Sequence, residues 1–374
     1  MRNCALSIVT LFLVATGGYA QMESWQIGPF TRVDDVNPII KPDESSVFYC
    51  PIQDKVVHWE CDHTFNPAAV VYNGKVYLFY RAEDDFGQGI GHHTSRLGIA
   101  ESEDGVHFVR NPEPVLYPDL DSQRSFEWPG GCEDPRIVQR EDGTYIMTYT
   151  QWTYFNKGVP NVARNIPLLG IATSTDLHHW EKRGYAFANS RIGRFHSKSG
   201  SIVCKRVGDS LIAAKIKDKY WMYWGEGPVF GATSDDLIAW DPIVDEYGTL
   251  LPVLDKRLGK FDSRLVEAGP PALVTDKGIL LIYNGKNAAV DGDPTISIGA
   301  YAAGQVLFDL DDPTRTIERS EESFFKPERE YEKTGQYKNG TVFVEGLVPF
   351  HGRWLLYYGT ADSAVGVAIY ETME

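Results

Sequence analysis

A group of charged residues stands out in the segment Gly130–Ile137, which reads GGCEDPRI. Glu133 and Asp134 are adjacent carboxylates, the proline that follows them fixes the backbone, and Arg136 can hold an anion or a hydroxyl group. Successive side chains of a strand point to opposite faces, so we expect only one of the two carboxylates to enter a shared pocket. The motif alone also fits a turn closed by a local salt bridge.

This motif opens one of five similar segments. Each segment starts with small or charged residues, continues as a short apolar run, turns at a Gly- or Asp-containing dipeptide and returns as a β-rich strand, and the openings lie 65 to 76 residues apart. The segments are Asn66–Arg81, Glu133–Tyr149, Lys198–Ala214, Ala268–Gly285 and Val344–Gly359. Such spacing is typical of propeller blades, whose inner strands open onto one central pocket. The sequence therefore predicts an all-β, five-bladed β-propeller.

A second recurring phrase supports four strands per repeat. Gly98–Asn111, Gly170–Arg183 and Gly231–Pro242 each read as a small-residue strand, an Asp-rich turn and a returning strand with an aromatic residue. Helical periodicity is weak, and β-branched and aromatic residues dominate the apolar runs. A β-sandwich is the alternative, but sandwich strands recur at roughly 8–12 residues without a longer period.

The N-terminus has the pattern of a secretory signal. Arg2 precedes the apolar run Ala5–Ala15, which is too short to span a membrane, and Gly18 and Ala20 are small residues that suit signal peptidase. We expect residues 1–20 to be a signal peptide and residues 21–374 to form a single propeller domain. Cleavage near Ala20 would leave a soluble periplasmic or secreted protein.

Charge and cysteine content narrow the partners. The formal net charge of −15 argues against nucleic acid and anionic membranes and suits a neutral ligand such as a sugar. Cys50 and Cys61 are the only plausible local disulfide pair, and free buried thiols remain the alternative. No spacing resembles a zinc site, so the sequence predicts neither a metal nor another cofactor.

Several motifs in order resemble glycoside hydrolase family 130. The resemblance covers nearly the whole chain after the signal, and it is carried by Phe65–Asp85, GGCEDPRI, Glu267–Val274, Asp309–Gly335 and Tyr357–Ala368. It implies a five-bladed propeller that phosphorolyses or hydrolyses β-mannosides.

The resemblance also implies roles for individual residues. Asp134 matches the general acid, which members of this family are thought to use indirectly, through the 3-hydroxyl of the sugar. The residues expected to bind substrate are Asn66, Arg81, Glu133, Arg136, His196, Lys198 and Asp362. Their side chains offer the mixture of donors and acceptors that sugar hydroxyls require.

Glu226 and Glu267 match the pair that holds the attacking water in the β-mannosidases of this family. Phosphate between two ionised glutamates would meet repulsion of about 1–4 kcal/mol per close contact, which favours hydrolysis. The segment Ser190–Gly200 is the counter-evidence, because its basic residues fit phosphate as well as sugar: Arg191, Arg194, His196 and Lys198. The sequence leaves open which glutamate is the base.

We therefore predict an exported inverting β-mannosidase that acts on short manno-oligosaccharides, with β-1,2 linkages favoured. The alternatives are a β-mannoside phosphorylase that releases mannose-1-phosphate, and a non-catalytic glycan-binding propeller. Aromatic residues suggest a leaving-group subsite, although most of them should be core residues: Trp152, Tyr154, Phe155, Tyr220, Trp221, Tyr223 and Trp224. Asn66, Asp134, Lys198, Glu267 and Glu345 should come from five successive blades around one axis. The sequence leaves the linkage and oligomeric state open.

Overall fold

The computed structural model describes residues 22–87, 89–154 and 166–372, and this part of the chain is nearly all β, as predicted. The described helices are one α-helical turn, Arg124–Glu127, and one 3-10 turn, Glu330–Glu332. None of the described helices is long and apolar enough to cross a membrane. The predicted signal peptide, residues 1–20, lies outside the described residues.

The described strands form five successive groups, each built mainly by antiparallel pairing. Group one comprises His63–Tyr72, Lys75–Glu83, Ser95–Ser102 and Val109–Arg110. Group two comprises Gly131–Gln139, Tyr145–Trp152, Leu168–Ser174 and Glu181–Tyr185. Group three comprises Ser201–Ile202, Cys204–Val207, Ser210–Ala213, Lys215–Ile216, Lys219–Trp224, Val229–Ser234, Asp241–Pro242 and Pro252–Leu254.

Group four comprises Glu226–Gly227, Leu265–Ala268, Leu273–Val274, Ile279–Lys286, Tyr301–Phe308 and Thr316–Arg319. Group five comprises Val342–Phe350, Arg353–Thr360, Ala364–Glu371 and, from the other end of the chain, Thr31–Arg32. A separate hairpin pairs Phe48–Cys50 with Lys55–Val57. The pairing of Thr31 with Ile369 joins the two ends of the described chain in one sheet.

Neighbouring groups touch through short parallel pairs. Gln139 of group two is opposite Ile212 of group three, and Cys204 of group three is opposite Leu273 of group four. Among the described residues these pairs form no closed sheet. They nevertheless join group two to group three and group three to group four, and this arrangement positions the site.

The second recurring phrase folds into the same turn three times. Asp104, Asp176 and Asp236 each accept hydrogen bonds from two backbone N–H groups, two and three residues ahead, at 2.8–2.9 Å. The aspartate thereby satisfies backbone N–H groups in the turn, where no neighbouring strand supplies an acceptor. The repeat read from the sequence is therefore a structural repeat.

Apolar side chains fill the space between the strand groups. The largest fully buried ones include Trp59, Trp224 and Trp240, and the first strands of groups one and two are buried on both faces along most of their length. Cys50 and Cys61 are not bridged; the Cys50 sulfur lies 3.6 Å from an Arg96 nitrogen. Hydrophobic burial, rather than crosslinks, holds the described chain together.

Candidate active site

The first strands of three groups carry a bulge at the same end. In group one the register shifts around Asn66, in group two around Asp134 and in group five around Glu345. Asn66 and Asp134 have positive φ angles of 47° and 48°, which Asn and Asp tolerate better than most residues. A bulge inserts an extra residue and re-aims the side chains beside it. The bulges at Asn66 and Asp134 bring these two side chains together, whereas Glu345 contacts Arg136.

Our expectation that Glu133 and Asp134 point to opposite faces is wrong. Both carboxylates line the same cavity and both contact Arg81, at 2.8 Å from Glu133 and 3.3 Å from Asp134. The register shift between Glu133 and Arg136 interrupts the alternation of a regular strand. Two adjacent carboxylates consequently share one cation.

The cavity at this end of the strands has a volume of about 300 Å³, which is enough for a small ligand. Its lining includes Phe65, Asn66, Arg81, Glu83, Ile90, Gly91, Glu133, Asp134, Thr150, Trp152, Pro167, His196, Lys198, Glu226, Glu267, Tyr301, Gln336, Tyr337, Phe343 and Asp362. Nine of the ten residues predicted for the site are among them; Arg136 is the exception.

Three charged or polar side chains contact the buried carboxylate of Asp134 in the cavity. The Asn66 amide donates to its Oδ1 at 2.8 Å, Arg81 Nη1 lies 3.3 Å from the same oxygen, and Lys198 Nζ lies 3.4 Å from Oδ2. Burial alone would raise the pKa of Asp134, but Lys198, Arg81 and the Asn66 hydrogen bond outweigh it and hold the pKa below its ordinary value. In the free protein this carboxylate is ionised.

Glu133 is the member of the pair with the raised pKa. Its Oε1 contacts Arg81 and accepts a hydrogen bond from Ser95 Oγ at 3.2 Å. Burial raises the pKa of Glu133 to about 7; Arg81 lowers it and the neighbouring Asp134 raises it further. Because the two carboxylates interact strongly, the proton belongs to the pair, which binds it near neutral pH.

Lys198 lies between Asp134 and Glu267. Its Nζ is 3.4 Å from Asp134 Oδ2 and 3.3 Å from Glu267 Oε1, so these two oxygens are at most about 6.7 Å apart, the sum of the two distances. Ser199 Oγ also donates to Glu267. Burial lowers the pKa of Lys198, but Glu267, Glu226 and Asp134 raise it well above its ordinary value. Lys198 therefore stays charged and links opposite sides of the cavity.

Glu226 and Glu267 are direct cross-strand partners with different surroundings. Glu267 is 1% exposed, and burial raises its pKa although Lys198 opposes the shift. The Glu226 side chain is 28% exposed and lies 3.4 Å from His196 Nε2. Lys198 lowers the pKa of Glu226 to about 2 against the effect of burial. Both predicted water-side glutamates thus lie together on one wall.

Asp362 is on the cavity wall at a turn after group five's second strand, with a positive φ of 50°. Burial raises its pKa to about 7, Arg81 opposes this, and Asp134 adds to it. Gln336 donates to the Asp362 backbone carbonyl at 2.9 Å and so fixes the turn. Asp362 can therefore offer either a donor or an acceptor to a ligand near pH 7.

Arg136 does not reach the cavity, so its predicted role as a direct substrate contact is not supported. Its guanidinium donates to the backbone carbonyls of Ala268 and Gly269, each at 2.8 Å, and lies 3.1 Å from Glu345. It also donates to the Asp134 carbonyl at 3.2 Å. Arg136 thus supports the bulge of Asp134 from below, and it links Glu345 of group five to the site.

The basic segment before group three splits in two. His196 and Lys198 line the cavity, whereas Arg191 and Arg194 are exposed, and the Arg194 guanidinium lies 4.5 Å from the centre of the Phe126 ring. Only two of the four basic residues that could have bound phosphate therefore reach the cavity.

The aromatic residues of the suggested subsite divide between the cavity and the core, and Phe155 lies outside the described residues. Trp152 lines the cavity, and the Tyr154 hydroxyl donates to the His92 carbonyl at 2.6 Å. Trp221, Tyr223 and Trp224 are buried core residues. Sequence reasoning missed the other polar and aromatic lining residues: Phe65, Glu83, Thr150, Tyr301, Gln336, Tyr337 and Phe343. Glu83 ends the strand that carries Arg81, so its proximity to that predicted residue was a usable signal.

An all-β chain with a carboxylate-rich cavity of this size has the features of a glycoside-active enzyme. A family model described as beta-1,4-mannooligosaccharide phosphorylase matches residues 31–374, so the chain belongs to glycoside hydrolase family 130 and the resemblance is confirmed. A 1,2-beta-oligomannan phosphorylase from Thermoanaerobacter sp. (strain X514) is 34% identical, over 84% of this chain and 91% of the relative.

Solved structures are more similar still. A glycosyl hydrolase from Bacteroides ovatus is 52% identical with a TM-score of 0.89, covering 94% of this chain and 96% of that one. A structure described as "The GH130 family of mannoside phosphorylases contains glycoside hydrolases that target beta-1,2 mannosidic linkages in Candida mannan" is 51% identical. Its TM-score is 0.91, and the match covers 96% of this chain and 98% of that one.

Proposed function

We propose that this protein is an inverting β-mannosidase that hydrolyses short β-mannosides, with β-1,2 linkages preferred. The observation that carries the proposal is the charge of the described cavity lining, where six carboxyl groups face two permanent cations, Arg81 and Lys198. The carboxyl groups are Glu83, Glu133, Asp134, Glu226, Glu267 and Asp362. Such a cavity suits a neutral sugar and a water nucleophile.

Both cations are already committed to carboxylates. Arg81 contacts Glu83, Glu133 and Asp134, and Lys198 contacts Asp134 and Glu267. A phosphate dianion would have to displace these partners and would then face them as like charges, at a cost of about 1–4 kcal/mol per contact near 4 Å. Water bears no such cost, so the charge balance favours hydrolysis over phosphorolysis.

Protonation of the leaving oxygen is assigned to Asp134. In the free protein Asp134 is ionised, while the Glu133–Asp134 pair binds one proton near pH 7. A sugar that displaces water from the cavity would weaken solvation of the Asp134 charge and move the shared proton toward it. The acid then acts through a hydroxyl of the bound sugar, as proposed for members of this family.

Activation of water is assigned to Glu226 and Glu267. Inverting hydrolysis requires an acid and a base separated by roughly 6.5–9.5 Å, so that water fits between the base and the anomeric carbon. The Asp134 and Glu267 oxygens that contact Lys198 are at most about 6.7 Å apart, so this pair lies at the lower end of that range or below it. Glu226, ionised with a pKa of about 2, accepts a hydrogen bond from water without holding a proton of its own.

The five strand groups would be the blades of a five-bladed propeller, formed as a single domain by residues 21–374. Residues 1–20 would be removed as a signal peptide, which would leave the protein in the periplasm or secreted. The β-1,2 preference is supported by the solved structure at 51% identity, whose description refers to glycoside hydrolases that target β-1,2 mannosidic linkages.

Phosphorolysis is the second candidate, because curated relatives at 34% and 30% identity are phosphorylases of β-1,2-linked mannosides. Incubation with β-1,2-mannobiose, with and without phosphate, separates the two. We expect free mannose at the same rate in both, with the α-anomer first by NMR, because water attacks the face opposite the leaving group. Phosphate-dependent mannose-1-phosphate would refute hydrolysis. Binding of mannobiose without turnover would indicate a glycan-binding protein instead.

A further inference from the structure

Two histidines and a glutamate meet beside the cavity, where the first strand of group one begins and its second strand ends. One nitrogen from each of His63 and His93 and one carboxylate oxygen of Glu83 lie within 4.8 Å of one another. His63 and Glu83 are direct partners across the first two strands of the group, and Glu83 is opposite Ser95, two residues after His93. The strand pairing thus builds this three-residue cluster within one strand group.

The surroundings of the cluster resemble those of a metal site. His93 Nδ1 lies 2.8 Å from the Asp84 carbonyl and 3.3 Å from the Asp62 carboxylate. A carbonyl only accepts hydrogen bonds, so Nδ1 carries the proton and leaves Nε2 of the neutral ring as the electron-pair donor. Histidines that bind metals almost always have their other ring nitrogen fixed in this way.

A second, independent observation concerns His63. Its Nδ1 is buried, and within the described part of the chain it has no hydrogen-bond partner. The rings of His63 and His93 lie 5.7 Å apart between centres and are nearly perpendicular, at 84°. A buried ring nitrogen without a partner costs free energy unless something binds it. A metal ion is a partner that would also use the neighbouring ligand atoms.

We propose that His63, Glu83 and His93 bind one divalent transition-metal ion of the zinc type. Two imidazoles and one carboxylate form a typical zinc ligand set with an open position for water, whereas calcium and magnesium prefer oxygen ligands. The ion is a positioning element: Glu83 also contacts Arg81 and Gln336, which both line the cavity. Metal binding at Glu83 would fix the end of the strand that carries Arg81. Metal binding at these three residues is expected whether the enzyme is a hydrolase or a phosphorylase.

The test is Zn²⁺ binding to the full chain after removal of metals with a chelator. We expect one equivalent to bind in calorimetry and to raise the melting temperature. His63→Gln and His93→Gln should each weaken binding by at least about 100-fold, because even second-shell changes cost 10–100-fold. His107→Gln and His179→Gln are matched controls: each removes a well-exposed histidine beside an aspartate, and each should leave affinity within about threefold.

Co²⁺ gives a second measurement, because its visible absorption reports nitrogen and oxygen ligation in the unmutated protein. We expect a spectrum that saturates at one equivalent of Co²⁺ and is lost in His63→Gln. His63 is only half-buried, whereas His93 is buried, so His63→Gln should keep the fold even if His93→Gln does not. Absence of saturable one-to-one binding by the unmutated protein would overturn the proposal. Equal weakening in the His107 and His179 controls would overturn it as well, since binding would then be a surface property.

Discussion

Replacement of Asp134 by Asn gives a direct test of the proposed acid. The substitution keeps the size of the side chain and its acceptor for the Asn66 amide, but it removes the charge that Lys198 and Arg81 contact. General acid catalysis is worth about 10²–10⁴-fold, or roughly 2.7–5.4 kcal/mol of transition-state stabilisation. We expect kcat/KM for β-1,2-mannobiose to fall by that factor.

The fold should survive this change. Lys198 retains Glu267 at 3.3 Å and Arg81 retains Glu133 at 2.8 Å, so neither cation loses its last described carboxylate. The cost in stability should therefore stay within about 1–3 kcal/mol, measured by denaturant unfolding. Unfolding that accompanied the loss of activity would make the kinetic comparison uninformative about catalysis, so both are measured on the same preparation.

The assay compares mannobiose with 4-nitrophenyl β-mannoside. Nitrophenolate leaves without a proton, so Asp134→Asn should cost less than about tenfold on the aryl substrate. Glu83→Gln is the matched control, because it removes a carboxylate from the same arginine and leaves the Glu133–Asp134 pair intact; its loss should be similar on both substrates. Equal large losses for Asp134→Asn on both substrates would refute the acid assignment and leave Asp134 with a binding role.

Three other predictions follow from the same geometry. Glu226→Gln and Glu267→Gln should each lower kcat about 100-fold or more, with mannose affinity by calorimetry changed only a few-fold; an unaffected variant would exclude that residue from holding water. Because burial raises the pKa of Glu133 to about 7, kcat/KM should fall above about pH 7 as the Glu133–Asp134 pair loses its proton, and a profile that is flat to pH 9 would contradict this. Burial also raises the pKa of Glu345 well above its ordinary value, so the folded state keeps a proton that the unfolded chain releases, and stability should fall as pH rises above the ordinary glutamate pKa. Glu345→Gln should make that fall shallower in denaturant titrations, and an unchanged slope would mean that Glu345 is ionised in the fold.

The sequence predicted the convergence of the site because that depends on a repeat. Asn66, Asp134, Lys198 and Glu267 belong to four different strand groups or lie just before them, yet each contacts another member of the set within 3.4 Å. The spacing of the openings was sufficient to place them at the same end. Glu345 belongs to the same set by position but lies below it, linked through Arg136.

The direction of individual side chains was not predictable from the repeat. A positive φ at Asp134 turns two neighbouring carboxylates to one side, and no pattern of apolar and polar residues reports it. Arg136 bonds backbone carbonyls of group four, a contact that spans more than 130 residues of chain. The cluster of His63, Glu83 and His93 has no motif spacing, because cross-strand register, rather than sequence distance, creates it.

The charges of the cavity explain why so many carboxylates can be held in a small space. Each of the two permanent cations is shared: Arg81 contacts three carboxylates and Lys198 contacts two. Sharing leaves the carboxylates undercompensated, so burial and mutual repulsion raise the pKa of Glu133 and Asp362 to about 7, while Glu226 stays ionised. One cavity therefore contains proton donors and a proton acceptor at the same pH. That separation is what acid–base hydrolysis of a glycoside requires, and an added phosphate dianion would disturb it by competing for Arg81 and Lys198.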